Sequence, residues 1–139
     1  MAALTTDRNT PRRDGETFHY PVAAATVCFA GGLAALAAGV AAPAATATGL
    51  VALGRFEARV DNSAGAAGDL KAEVRPGVFR WGNSAGGDEI ALSDVGALAY
   101  IVDDQTVAKT DGTGTRSAAG RIVDVDAQGV WVKTGPDVT

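Results

Sequence analysis

The sequence predicts an all-β fold: a small jelly-roll, β-sandwich or barrel of about eight to ten short antiparallel strands behind an extended N-terminal arm. Three observations carry this. Apolar and polar residues alternate in short runs; Gly, Asn and Asp stand between the runs; and no stretch sustains a long helical period. Connections of a few residues imply antiparallel neighbours, because a parallel crossover needs a dozen residues or more.

Residues 1–20 read as the arm. Asp7-Arg8-Asn9-Thr10-Pro11-Arg12-Arg13-Asp14-Gly15 has charge, no apolar period and two breakers. Such a segment cannot offset its ordering entropy alone and gains by lying against another surface. Residues 21–134 read as a single β-domain and 135–139 as a tail. Within 22–50, alanine propensity points to helix, while the Gly and Pro punctuation points to strands at Thr26–Ala30, Leu33–Ala37 and Val40–Ala42. The strand reading places Gly31-Gly32 and Ala38-Gly39 in tight turns.

After Leu50 the alternation is plainer. Arg55-Phe56-Glu57-Ala58-Arg59-Val60-Asp61 puts Phe56, Ala58 and Val60 on one face, and Leu70 to Arg75 repeats the pattern. Pro76-Gly77 turns the chain into Val78-Phe79-Arg80-Trp81. Asp88 to Gly96 has room for one 3₁₀ piece, with Ser93-Asp94 as its cap. Tyr100–Lys109 reads as a hairpin around Asp103-Asp104-Gln105. Ala118–Asp126 and Val130–Lys133 form the last hairpin, closed by Asp126-Ala127-Gln128-Gly129.

Composition bounds the function. Hydrophobic residues make up 47%, but 29 of them are Ala, so the core is thin and gains from packing against a partner. The net charge of −4 argues against generic nucleic-acid binding, which needs a basic stripe. Cys28 is the only cysteine; no internal disulfide forms, and its apolar setting predicts a buried, inert thiol. Pro21 to Gly54 lacks charge, so a membrane span or export signal has to be weighed. Gly31-Gly32, Gly39 and Pro43 would interrupt such a helix, and its Ala, Gly and Thr content is weakly lipophilic. A β-segment buried on both sides fits better.

The inventory of chemical groups is thin. His19 is the only histidine, and in Phe-His-Tyr-Pro an interface or packing role, shared with Tyr20, suits it better than a catalytic pair. Asp103 and Asp104 point to opposite faces of a strand, a poor arrangement for paired-carboxylate chemistry. Asp124 and Asp126 are expected on one face, with too few further oxygens for Ca²⁺. Gly112-Thr113-Gly114 lacks the Gly-Lys-Ser/Thr ending of a phosphate loop. One Cys and one His cannot close a zinc site. The expectation is no enzyme, no metal and no cofactor.

Several segments, in order, carry a resemblance: Thr6 to Gly15; Gly49-Leu50-Val51-Ala52-Leu53-Gly54 with Val60-Asp61-Asn62-Ser63; Gly77-Val78-Phe79-Arg80-Trp81 with Asn83-Ser84; Ala99 to Val107; Gly120-Arg121-Ile122-Val123-Asp124-Val125; and Gly129-Val130-Trp131-Val132. In this order and spacing the chain resembles capsid cement (head decoration) proteins of tailed bacteriophages. The resemblance implies a jelly-roll or barrel-like structural protein, made in the host cytoplasm, that sits on the outer surface of the virion shell. There it would clamp neighbouring major capsid protein subunits without chemistry. It implies a homo-oligomer, a homodimer before a trimer, and no nucleic acid or membrane as partner. Arg8, Arg12 and Arg13 are the expected arm anchors, since guanidinium forks pair well with carboxylates. The rival reading is a secreted or surface β-sandwich that binds a ligand such as a glycan through Trp81 and Trp131 on one exposed face.

Overall fold

The computed structural model describes residues 2–10, 13 and 15–138. Their regular structure is β, in twelve short strands: β1 (Phe18–Pro21), β2 (Thr26–Cys28), β3 (Leu33–Ala37), β4 (Val40–Pro43), β5 (Val51–Phe56), β6 (Val60–Asn62), β7 (Lys71–Arg75), β8 (Gly77–Asn83), β9 (Leu98–Ile101), β10 (Thr106–Ala108), β11 (Ala118–Asp126) and β12 (Gly129–Thr134). Two 3₁₀ turns, Gly86–Asp88 and Leu92–Asp94, lie between β8 and β9.

Five strands form a sheet in the order β1-β7-β5-β3-β4, and β2 pairs with β6 as a separate ribbon. The other five close into a barrel in the order β10-β8-β12-β11-β9, with β9 pairing back to β10. The pair that completes the barrel, β8 with β10, is parallel: Thr106 lies beside Gly82 and Val107 beside Asn83. This departs from the all-antiparallel expectation. Short turns dictate the pairing of successive strands only, and β8 and β10 are separated by both 3₁₀ turns and β9.

Strands β3 and β5 of the five-stranded sheet are buried on both faces. On β3, Leu33 and Ala35 face the barrel core with Trp81, Ile101, Ile122, Val130 and Val132. Ala34 faces a second core with Val22, Cys28, Leu53, Phe56, Ala72 and Val74. β5 divides in the same way, Ala52 toward the barrel and Leu53 away from it. A strand buried on both faces reads as a continuous apolar run, which explains the uncharged stretch between Pro21 and Gly54. Small Ala side chains let two cores approach one thin sheet. The β3–β4 hairpin closes at Ala38 and Gly39, both with positive φ (50° and 81°), as a two-residue primed turn requires.

Buried polar groups tie the two halves together. The Ser117 hydroxyl donates to the Ala47 carbonyl (2.7 Å) and accepts from the Leu50 N–H (3.0 Å). Leu33 N–H donates to the Asp104 carbonyl at 2.7 Å, so the β9–β10 turn is pinned to the start of β3. Asn62, almost fully buried, donates from Nδ2 to the carbonyls of Ala23 and Ala66. Asn83 pairs with Ile90 through both halves of its amide, donating to the carbonyl and accepting from the N–H at 2.9 Å each.

Two boundaries differ from the sequence reading. Phe18–Tyr20, expected in the N-terminal arm, belongs to β1, since Phe18–Pro21 pairs with β7. Arg55–Asp61 is not one strand. β5 ends at Phe56, Ala58 is exposed, and the chain re-pairs as β6 with β2. Asp124 and Asp126 share an exposed face as expected, because the β11–β12 register runs regularly from Asp124 to Asp126 and shifts only between Ile122 and Asp124.

Candidate partner-binding surface

The residues that sequence reasoning singled out fall into three places. Residues 2–10 have no helix or strand and are exposed. Arg8 donates from Nη1 to Thr10 Oγ1 at 3.0 Å, and Arg13 is exposed. Arg12 lies outside the described residues. His19 and Tyr20 stand together in β1, on opposite faces. His19 is exposed, whereas Tyr20 is half-buried and packs against the second core with Leu36 and Val60. Tyr20 therefore serves packing on its inner face.

β1 is an outer strand of the sheet, but directly after it Val22 forms a parallel bridge with Ala41 of β4, the other outer strand, so any open backbone edge is confined to Phe18–Pro21. Val22 N–H donates to the Leu70 carbonyl (2.9 Å). By the alternation of an antiparallel ladder, Tyr20 and Phe18 also face β7, and His19 and Pro21 face outward. Pro21 has no N–H to offer, which blunts that edge beyond His19. At the opposite edge, the outward carbonyl of Ala41 on β4 is taken by the Ala23 N–H at 2.9 Å.

Asp103, adjacent to Asp104 in the sequence, holds a turn, and other carboxylates are engaged in local bonds. Asp103 Oδ1 accepts from the Gln105 N–H. Asp88 accepts from the Thr110 hydroxyl and from Arg116 Nη1, and these bonds hold its carboxyl below the usual carboxylate range. Asp61, lowered by its bonds from Ser63, caps the turn after β6. Among the described residues, no group of three or more His, Cys, Asp and Glu is placed to hold a metal ion. Among the described residues, no helix is long and apolar enough to cross a membrane. Cys28 is buried, and desolvation, with a smaller contribution from the Asp104 charge, pushes its thiol up to about 11.

The two tryptophans do not share a face. Trp81 is buried and donates from Nε1 to Thr134 Oγ1 at 3.2 Å, while Trp131 stands half-exposed on the outer barrel surface. This removes the paired aromatic platform of the glycan reading.

Sequence reasoning missed a set of stacked guanidiniums. Arg55 lies over the Phe79 ring (4.6 Å to the centroid), Arg59 over Phe29 (5.4 Å) and Arg80 over Trp131 (5.5 Å). Each pair joins residues from different strands or turns, and only Arg80 with Trp131 is a direct cross-strand pair. Alternation along β8 does put Arg80 on the outside, but nothing local names the ring it meets.

Compared with known protein families, curated proteins and solved structures, the chain matches none. Fold and surface define a class: an all-β protein with a closed five-stranded barrel, a five-stranded sheet whose strands β3 and β5 are buried on both faces, and a charged N-terminal segment leading into an edge strand.

Proposed function

We propose that this chain is a structural virion protein that binds the outside of a tailed-phage capsid and clamps neighbouring major capsid subunits. The observation that carries the reading is the run from an exposed, guanidinium-bearing N-terminal segment straight into an edge strand. Such a segment covers much surface for few residues, and the strand it joins anchors it to a folded body. The order and spacing of motifs that resemble head decoration proteins support the same reading.

The physics suits a fastener. A shell holding packed DNA is stressed outward, and the seams between capsomers are its weak points. A modest interface at each seam, repeated over the shell, makes loss of the whole set slow. In this reading Arg8, Arg12 and Arg13 meet carboxylates of the shell, and His19 lies at the contact between arm and strand edge. A second copy packs across the β1 edge as a homodimer.

The test is co-sedimentation of the purified chain with intact heads. The full chain is expected to pellet with the heads at a copy number comparable to that of the shell protein. A variant lacking residues 2–17 is expected to remain largely in the supernatant. Heads that contain none of the chain would overturn the function, and undiminished binding of the shortened variant would remove the arm from it.

A further inference from the structure

The five-stranded sheet and the barrel follow one strand plan. The sheet order β1-β7-β5-β3-β4 corresponds strand for strand to β8-β12-β11-β9-β10. The registers agree: Phe18 pairs with Val74 as Phe79 does with Val132, and Arg55 with Arg75 as Arg121 does with Lys133. The irregularities agree too. Each unit shifts register beside an Ala–Gly pair, Ala34 with Gly54 and Ala99 with Gly120. Gly31 N–H donates to the Phe56 carbonyl and Gly96 N–H to that of Ile122, both at 2.8 Å. Each unit also has a parallel closing contact, Val22 with Ala41 and Asn83 with Val107.

This equivalence separates a used copy of one contact from an unused copy. In the first unit the outer face of β3 and β5 carries Leu33, Ala35 and Ala52, at most 3% exposed because they pack on the second unit. The receiving end is the β9–β10 turn, whose Asp104 carbonyl accepts from Leu33 N–H, together with Ser117 and Phe79. In the second unit the counterparts of that face are Leu98, Tyr100 and Ala118, which are half-buried. In the first unit the counterparts of the receiving end are the exposed turn Ala37-Ala38-Gly39, Val51 at 41% exposure and the half-buried Phe18.

We infer that a second copy of this chain docks head to tail, with the Leu98–Tyr100–Ala118 face of one copy on the Ala38 and Val51 end of the next. Outer positions of a solvated antiparallel sheet are polar, as Arg121 and Lys133 are here; Leu98, Tyr100 and Ala118 break that pattern. The occupant follows from the interface already present within the chain. Its two halves recur, one on each unit, and another copy carries the matching half. Repeated between copies, such a heterologous contact closes a ring or extends a filament. Two substitutions make it weaker than the contact within the chain. Val51 stands where Ser117 makes its two hydrogen bonds. Thr110 and Arg116, both bonded to Asp88, stand where Ala44 and Leu50 pack. The association is therefore reversible, and it rests on neither the arm nor the capsid reading.

The experiment captures untagged full-length chain on tagged full-length chain, with sedimentation velocity at high micromolar concentration alongside. Wild type is expected to associate in both. Tyr100→Asp removes the face and keeps the receiving end. Val51→Asp and Ala38→Asp do the reverse at exposed positions, and Asp suits the positive φ of Ala38 (50°). Like variants should bind each other at least about tenfold more weakly than wild type does, whereas Tyr100→Asp and Val51→Asp should still capture each other through one intact contact. Thermal melts establish that each variant folds, and Ala118→Arg takes the place of Tyr100→Asp if that variant is unfolded. Absence of wild-type association, or no cross-capture between folded variants, would overturn the inference. So would equal capture in every combination, the pattern that pairing at the β1 edge produces. Loss of head binding by Tyr100→Asp without any capture between chains would assign the face to the shell and overturn it as well. The expected capture pattern together with heads that bind no chain would support it and count against the capsid reading alone.

Discussion

The indole N–H of Trp131 donates to Asp126 Oδ2 at 2.8 Å, across the hairpin that joins β11 and β12. The other oxygen, Oδ1, accepts from the N–H groups of Gln128 (2.8 Å) and Gly129 (3.0 Å). One carboxylate thus closes the turn and holds the ring on which Arg80 stacks. The Trp131 bond is the main reason the Asp126 carboxyl sits below its usual range; the turn N–H groups and the Arg80 charge add to it.

The sign of the resulting pH dependence follows by linkage. The folded-state value is lower than the unfolded one, so Asp126 adds stability above the unfolded value and loses it as pH falls through the folded value. Asp126→Ala should melt below the wild type at neutral pH. The gap should close as pH falls through and below the ordinary carboxylate range. Thermal melts across an acidic pH series check this, and a constant gap would show that the loss is not electrostatic. The same variant should dim the dependence of Trp131 fluorescence on acid.

Gly120 sits where β11 meets β9 and β12, at a register shift, with φ of +148°. A Cβ there would lie 2.0 Å from the Lys133 carbonyl oxygen and 3.0 Å from Val132 Cγ1. The first obstacle is backbone in the middle of the barrel, which cannot swing aside. Gly120→Ala is therefore expected to cost roughly 2–4 kcal/mol, from backbone strain and overpacking together. Chemical denaturation reads it as a fall in midpoint with little change in slope.

Much of this fold is legible in the residues, and the reasons for success and failure are local. β3, β4, β11 and β12 could be placed because Ala38-Gly39 and Ala127-Gln128 sit in turns whose chemistry is specific. The run Arg55–Asp61 misled because Ala58 satisfies an alternation pattern at no energetic stake: exposed or buried, it changes little. Phe18–Tyr20 reads as arm in the sequence because one exposed His between two aromatics is too short a signal. The parallel closure of β8 on β10 is a long-range choice with no local mark. The stacked arginines were invisible for the same reason, since Arg59 and Phe29 come together only when β6 pairs with β2.

Leu33 tests whether the two halves fold as one. It lies in β3 of the five-stranded sheet, is fully buried, and packs in the barrel core. Leu33→Ala should cost about 2–5 kcal/mol, a lost side chain plus the cavity it leaves. Both tryptophans report from the barrel, on β8 and β12, while far-ultraviolet circular dichroism reports on all strands. With the cores coupled through Leu33, both signals should shift to the same lower midpoint. If the fluorescence transition stayed in place while dichroism moved, the sheet and the barrel would be separate cooperative units.

Cys28 gives a probe of the second core. Its thiol is buried beside Leu53, Phe56 and Val74, and burial followed by the Asp104 charge raises it to about 11. The thiolate is the reactive form, so a disulfide reagent at neutral pH should label the native chain slowly and the denatured chain at once. The linkage sign is opposite to that of Asp126. The neutral thiol is favoured in the fold, so stability is fully present below the unfolded value and declines as pH rises from about 9 toward 11. Cys28→Ala, which has no proton to lose, should lack that alkaline decline although its core is looser. The stability difference between wild type and variant should therefore narrow as pH rises through that window. Fast labelling of the native chain would show that the second core opens on its own, without global unfolding.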